Sequence, residues 1–388
     1  MSLFITIVLD GVGVGAQPDA GSYGDVGSHT LAHVCETARP HLPHLTQLGL
    51  GCLTPLTSVP AAKAPTAAYG RLQEVSAGKD STTGHWELAG LRLVHPFPTY
   101  SAGFPPDLIE TFLTRTGCTG ILGNKAASGT VIIDELGALQ QQTGRPIVYT
   151  SADSVFQIAA HKDTLPLETL YHFCRIARDE VCVGQHAVGR VIARPFVGSP
   201  GAYRRMSAER KDFALPPPGL TVQEALQAHG VRTVSIGKIA DLFDGVGFHE
   251  TYKTKSNDQG VAETLRQIRT QTGAPTFIWV NLVDFDQEYG HRNDPEGFAR
   301  ALEAFDRALP SLLQALPSDG RLLITADHGN DPTMPGTDHS REYVPLLYYG
   351  NRPGIDLGLR TSFNDHAATV SAFFGIRFPT QGSSFEQP

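Results

Sequence analysis

The segment Phe4-Ile5-Thr6-Ile7-Val8-Leu9-Asp10-Gly11 is an apolar run that stops on a carboxylate and a glycine. It lacks a basic leader and is too short for a membrane span or a signal-peptide core, so it predicts a buried strand. The same grammar recurs twice downstream. Phe277–Val283 runs into Asp284-Phe285-Asp286, and Leu322–Thr325 into Ala326-Asp327-His328-Gly329. Ile147–Thr150 and Val231–Ile236 are further β-branched runs. Helical patterns lie between them. In the clearest, Asp294 is the N-cap, Pro295 takes the first helical position, and Phe298, Leu302, Phe305, Leu309, Leu312 and Leu316 share one face. Strands alternating with helices predict an α/β fold with a mostly parallel sheet.

The chain has 388 residues, 41 % hydrophobic and 18 % charged, with 40 Gly and 27 Pro. That composition builds a sizeable core with many ordered turns and excludes a disordered chain. Two Pro-rich stretches, His95-Pro96-Phe97-Pro98 and Leu215-Pro216-Pro217-Pro218-Gly219, predict hinges, because proline fixes φ and removes a backbone donor. They divide the chain into a discontinuous core, 1–95 with 217–388, and an inserted domain, 96–216, with strands of its own. A formal charge of −8 without a Lys/Arg block argues against a nucleic-acid partner, yet a few arginines or metal ions can still make a local phosphate site. The scattered Cys35, Cys52, Cys118, Cys174 and Cys182 form no C-x-x-C pair, which points to a reducing cytoplasm rather than a disulfide framework.

In an open α/β sheet, ligands bind outside the carboxyl ends of the strands. Asp10, Asp286 and Asp327 therefore converge there, with His328 beside them and His291 and His339 in following loops. A lone Asp after a strand is usually a turn or cap residue. The repetition carries the metal reading, because converging carboxylates repel until one or two divalent cations neutralise them. The oxygen and nitrogen donor set suits Mn, Zn or Fe better than Ca. The segment Ser76–Glu87 offers Ser81, Thr82 and Thr83 between glycines, an exposed loop in which a hydroxyl becomes a nucleophile if a base or metal activates it. Gly11-Val12-Gly13-Val14-Gly15 has the wrong spacing for a dinucleotide fingerprint.

These motifs, together with Gly78-Lys79-Asp80, Thr83-Gly84-His85-Trp86-Glu87, Gly123-Asn124-Lys125, Tyr149–Ser154 and Gly189–Phe196, resemble the phosphopentomutases of the alkaline phosphatase superfamily over nearly the whole chain. The resemblance implies an alkaline phosphatase-like core, an inserted α+β cap, and interconversion of (deoxy)ribose 1-phosphate and 5-phosphate. It implies two Mn²⁺, with Zn²⁺ or another divalent ion as substitutes, and a sugar bisphosphate as priming activator. One ion falls to Asp286, His291 and His339, the other to Asp10, Asp327 and His328, with Ser81 Oγ between them. The family usually has Thr where this chain has Ser81. Ser151, Asp153, Arg190, Arg205 (with Arg204 as its neighbour in a blurred register) and Lys238 are implied around the sugar phosphate. The expected partners are small sugar phosphates, with no nucleic acid, membrane or obligatory protein. A phosphatase or phosphoglycerate mutase on the same metal core is the alternative, and a non-catalytic metal sensor is a third reading.

Overall fold

The computed structural model describes residues 2–151, 153–271 and 273–386, and the chain divides into two compact units, Met1–His95 with Pro217–Pro388 and Pro96–Pro216. The first unit is built on an eight-stranded sheet. In chain order its strands are β1 (Leu3–Leu9), β2 (Ala68–Leu72), β3 (Arg232–Ile236), β4 (Glu250–Tyr252), β5 (Thr276–Leu282), β6 (Arg321–Thr325), β7 (Val344–Tyr349) and β8 (Asp356–Arg360). Their spatial order is β4-β3-β5-β1-β6-β7-β2-β8. The block from β4 to β6 is parallel throughout. β7 runs antiparallel to both β6 and β2, and β8 returns parallel to β2.

β1 and β5 are buried at every position, the state of a parallel strand covered on both faces. That is why neither shows alternation in its sequence. Register then sets the site. Leu9 pairs with Leu282 and Val8 with Thr325, so β1, β5 and β6 end level and release Asp10, the turn after Leu282 and the turn after Thr325 side by side.

The long helix Pro295–Ala315 begins as its sequence predicts, with the Asp294 carboxylate accepting from Gly297 N at 2.8 Å. Its buried face carries Phe298, Leu302, Phe305, Leu309 and Leu312, and Leu316 is its C-cap. The same helix places a buried carboxylate, Asp306, where it accepts from Leu45 N at 2.7 Å and His44 N at 3.3 Å. It thereby caps the helix Pro43–Leu48, whose own N-cap, Leu42, has no acceptor side chain. Asp306→Ala is expected to cost about 1–2 kcal/mol, seen as a lower urea midpoint at unchanged slope.

The unit Pro96–Pro216 has its own sheet, with Leu122–Ala126, Ile147–Thr150, Val155–His161, Arg190–Val197 and Arg204–Arg205 in that order and Lys211–Ala214 also paired to Arg190–Val197. Parallel and antiparallel pairings alternate across it. Phe112 and Phe173 pack with Phe156 and Val191 in one core cluster. Ile132 and Ile133 pack with Tyr149 and Phe196 in another. Among the described residues, no helix is long and apolar enough to cross a membrane.

Candidate metal centre

Asp10 is fully buried at the end of β1, followed by Gly11 at φ +76°. Only a residue without a side chain suits this left-handed turn, because a Cβ would also stand 3.0 Å from Asn330 Cβ. The turn aims Gly11 N at Asp327 Oδ1, 3.2 Å away. Asp286 sits in the short helical turn Phe285–Tyr289 after β5. His291 Nε2 approaches its Oδ2 at 3.2 Å, and His339 Nε2 approaches its Oδ1 at 3.3 Å. Nδ1 of His291 donates to the Thr337 carbonyl at 2.6 Å, which fixes the tautomer and leaves Nε2 facing the cluster. His328 Nε2 lies 3.2 Å from Asp327 Oδ2 and 3.6 Å from Asp10 Oδ1. Its ring stacks on that of His339 with centroids 3.8 Å apart.

One ligand atom from each of Asp286, His291 and His339 lies within 4.8 Å of the others, and the same holds for Asp10, Asp286 and His328. Asp286 therefore stands between the two sets. Among the described residues, Asp10 Oδ1, Asp327 Oδ2 and His339 Nε2 are buried without a directed hydrogen bond. Buried polar atoms are rarely left so, and carboxylates and imidazoles converging with free lone pairs fit divalent cations. The protein's own charges show the same demand. Burial and neighbouring Asp327 push the Asp10 carboxyl up to about 7. Burial alone would lower His328, but Asp327, Asp286 and Asp10 carry it up to about 10. Asp286 and Asp327 stay well below the usual carboxylate range despite burial, the first held by His339 and His291, the second by His328 and His85.

Ser81, Thr82 and Thr83 are not the exposed loop their glycine surroundings suggest. They form the first turn of the helix Ser81–Leu88, and Ser81 is buried. Asp80 is the N-cap, accepting from Thr83 N at 3.1 Å and from the Thr83 hydroxyl at 2.5 Å. Thr83 is thus committed to the cap. Ser81 Oγ faces the cluster, 3.1 Å from His328 Nε2, and accepts from Lys238 Nζ at 2.8 Å. Lys238, expected near the sugar phosphate, also reaches Asp10 Oδ2 at 2.5 Å. Its ammonium is held above the usual lysine range, because Asp10, Asp327 and Asp286 outweigh the effect of burial.

Further side chains hold the centre together through contacts that the sequence motifs do not specify. Asn330 Nδ2 donates to Asp286 Oδ1 at 2.7 Å. The buried Arg341 donates to the carbonyls of Ser76 and Gly78 at 2.9 and 2.7 Å, and Lys79 bridges Asp25 and Asp338 at 3.1 and 3.2 Å. Glu87 accepts from Val75, Ser76 and Phe363 backbone amides, fixing the segment that enters the Ser81 helix. All of these roles arise from tertiary contacts, which residue spacing does not encode.

In the inserted unit, Arg190 stands 3.8 Å from Asp153 and 3.6 Å from Asp212. Arg205 is paired opposite Phe196 on a two-residue strand and is exposed, as is Arg204. Ser151 follows the strand Ile147–Thr150, and Ala152 lies outside the described residues. Arg210, which sequence reasoning did not single out, forks onto Asp212 at 2.7 and 2.6 Å.

Residues 2–377 match the family model of the Metalloenzyme superfamily. The chain is 53 % identical over 384 residues to a phosphopentomutase of Anaeromyxobacter sp. (strain K), covering 98 % of this chain and 97 % of that one. It is 52 % identical over 383 residues to a phosphopentomutase of Caldanaerobacter subterraneus subsp. tengcongensis, covering 98 % and 96 %. The solved phosphoglycerate mutase of Leishmania mexicana, determined at low cobalt concentration, shares the fold at a TM-score of 0.51 and 13 % identity, covering 98 % of this chain and 96 % of that one.

Proposed function

Since the chain belongs to the phosphopentomutases of the metalloenzyme superfamily, we propose that it interconverts α-D-ribose 1-phosphate, or its 2-deoxy analogue, and the 5-phosphate through a phosphoserine at Ser81. The observation that carries this reading is the placement of Ser81 Oγ, buried, in the first turn of a helix and 3.1 Å from His328 Nε2. Asp286, His291 and His339 would hold one Mn²⁺ and Asp10, Asp327 and His328 the other. When bound, these ions neutralise the phosphoryl group in transfer and lower the cost of an alkoxide at Ser81.

The chain's own residues do the rest. The Ser81 Oγ–P bond breaks as a bond forms from phosphorus to the free sugar hydroxyl oxygen, giving a 1,5-bisphosphate. The bond from phosphorus to the other sugar oxygen then breaks as a new Ser81 Oγ–P bond forms, and the proton given up by the first hydroxyl ends on the sugar oxygen released, so no phosphate is lost. The positive end of the helix dipole favours the phosphoserine charge, and the Lys238 ammonium adds to it. Arg190 and Arg205 supply guanidinium forks for phosphate, while Asp153 and Ser151 accept or share sugar hydroxyls. Burial of Ser81 keeps water from the phosphoserine, and a sugar bisphosphate primes enzyme that has lost its phosphate. The enzyme works in the cytoplasm on small sugar phosphates, without nucleic acid, membrane or an obligatory protein partner.

A coupled assay of ribose 1-phosphate conversion tests this. Expected are turnover in both directions with Mn²⁺, loss with chelator, recovery on Mn²⁺ return and faster onset with a priming bisphosphate. Release of inorganic phosphate at the turnover rate would mark a phosphatase, and conversion of 3-phosphoglycerate a phosphoglycerate mutase. Either would overturn the reading.

A further inference from the structure

His85 belongs to the Thr83–Glu87 motif and takes no part in the chemistry above. Its side chain is wholly buried. Nδ1 lies 2.8 Å from the Ser81 carbonyl oxygen, one helical turn back, and the same nitrogen lies 3.2 Å from Asp327 Oδ2. Nε2 has no hydrogen-bond partner among the described residues. A proton on Nε2 would be buried and unsatisfied, so the ring carries its proton on Nδ1, where the carbonyl requires a donor. The adjacent Gly84 brings the helix against the same residue, since a Cβ there would sit 2.1 Å from the Asp327 carbonyl oxygen. Asp327 Oδ1 is meanwhile fixed by Gly11 N.

We propose that His85 is a positioning residue that joins the turn bearing Ser81 to the Asp327 carboxylate, so that nucleophile and metal ligand keep one fixed spacing. This rests on the metal-dependent reading above and adds to it a residue that touches neither substrate nor ion. The N–H holds the first helical turn through the Ser81 carbonyl, and the positive edge of the ring steadies Oδ2 of Asp327. Outer groups of this kind typically change metal affinity or activity by about 10–100-fold.

The test compares wild type, His85→Asn and His85→Leu. Asparagine keeps an amide donor near the position of Nδ1, and leucine removes it. Mn²⁺ binding to chelator-stripped protein is followed by the electron paramagnetic resonance of free Mn²⁺, and thermal unfolding of the stripped proteins checks the fold. His85→Leu is expected to weaken one of two Mn²⁺ sites by about 10–100-fold, with kcat lowered and KM for ribose 1-phosphate within about twofold. His85→Asn should recover most of both losses. Wild-type affinity at both sites in His85→Leu, or an equal loss in His85→Asn, overturns the proposal. If His85→Leu fails to fold, His85→Gln takes its place: its amide lies one bond too far out, so it should lose what His85→Asn retains, and equal behaviour of the two overturns the proposal. Wild-type protein that binds no Mn²⁺ overturns the metal reading itself, an outcome distinct from the others.

Discussion

Ser81→Ala is expected to reduce pentose-phosphate interconversion by at least about 10⁴-fold while leaving Mn²⁺ binding and thermal stability close to wild type. In the proposed covalent mechanism, removing the hydroxyl removes the atom that would carry the phosphoryl group between the two half-reactions, and the neighbouring hydroxyls are poor substitutes. Thr83, the nearest alternative with a buried side chain, spends its hydroxyl on Asp80 within the helix cap. Lys238 Nζ and His328 Nε2 both aim at Ser81 Oγ. Mass spectrometry of the resting enzyme should find phosphate on Ser81. Undiminished turnover in Ser81→Ala, or phosphate on Thr83 alone, would end the covalent reading.

Acid is expected to weaken the fold through a different histidine. His366 is fully buried, with Nδ1 donating to the Leu88 carbonyl at 2.7 Å and Nε2 accepting from the Thr6 hydroxyl at 2.8 Å. Burial lowers its pKa from 6.5 to about 4. The folded state therefore binds this proton less readily than the unfolded chain. The stability it contributes is complete above pH 6.5, is lost as pH falls toward 4, and falls no further below that. The shift corresponds to about 3 kcal/mol across the window. Urea midpoints of stripped protein between pH 8 and 4 should fall more steeply for wild type than for His366→Asn, in which no imidazole titrates. Equal slopes would show that the ring is not the acid-sensitive group.

The strands were legible because burial on both faces writes itself as a nearly continuous apolar run, broken by Thr6 alone in Phe4–Leu9 and by Asn281 alone in Phe277–Leu282. The convergence of Asp10, Asp286 and Asp327 was legible too, since strand polarity alone decides which end of a parallel sheet they share. The Ser81 helix was not. Every residue from Thr83 to Leu88 is buried, so no polar face marks a helical period, and Gly84 weakens the propensity. The work of His85, Asn330 and Arg341 was hidden for another reason. Each acts on a partner distant in the chain, as His85 does on Asp327, and no local pattern encodes such a pairing.

The position of β1 between β5 and β6 also sets a timetable for synthesis. The ribosome makes β1 early, but both strands that flank it arrive only after the inserted unit is complete. Asp10 must therefore wait, unpaired, for most of translation, while residues 96–216 are free to fold by themselves. A nascent or prematurely released chain that ends before β6 lacks Asp327, His328 and His339 altogether. The six candidate ligands therefore exist together only once residue 339 has been made.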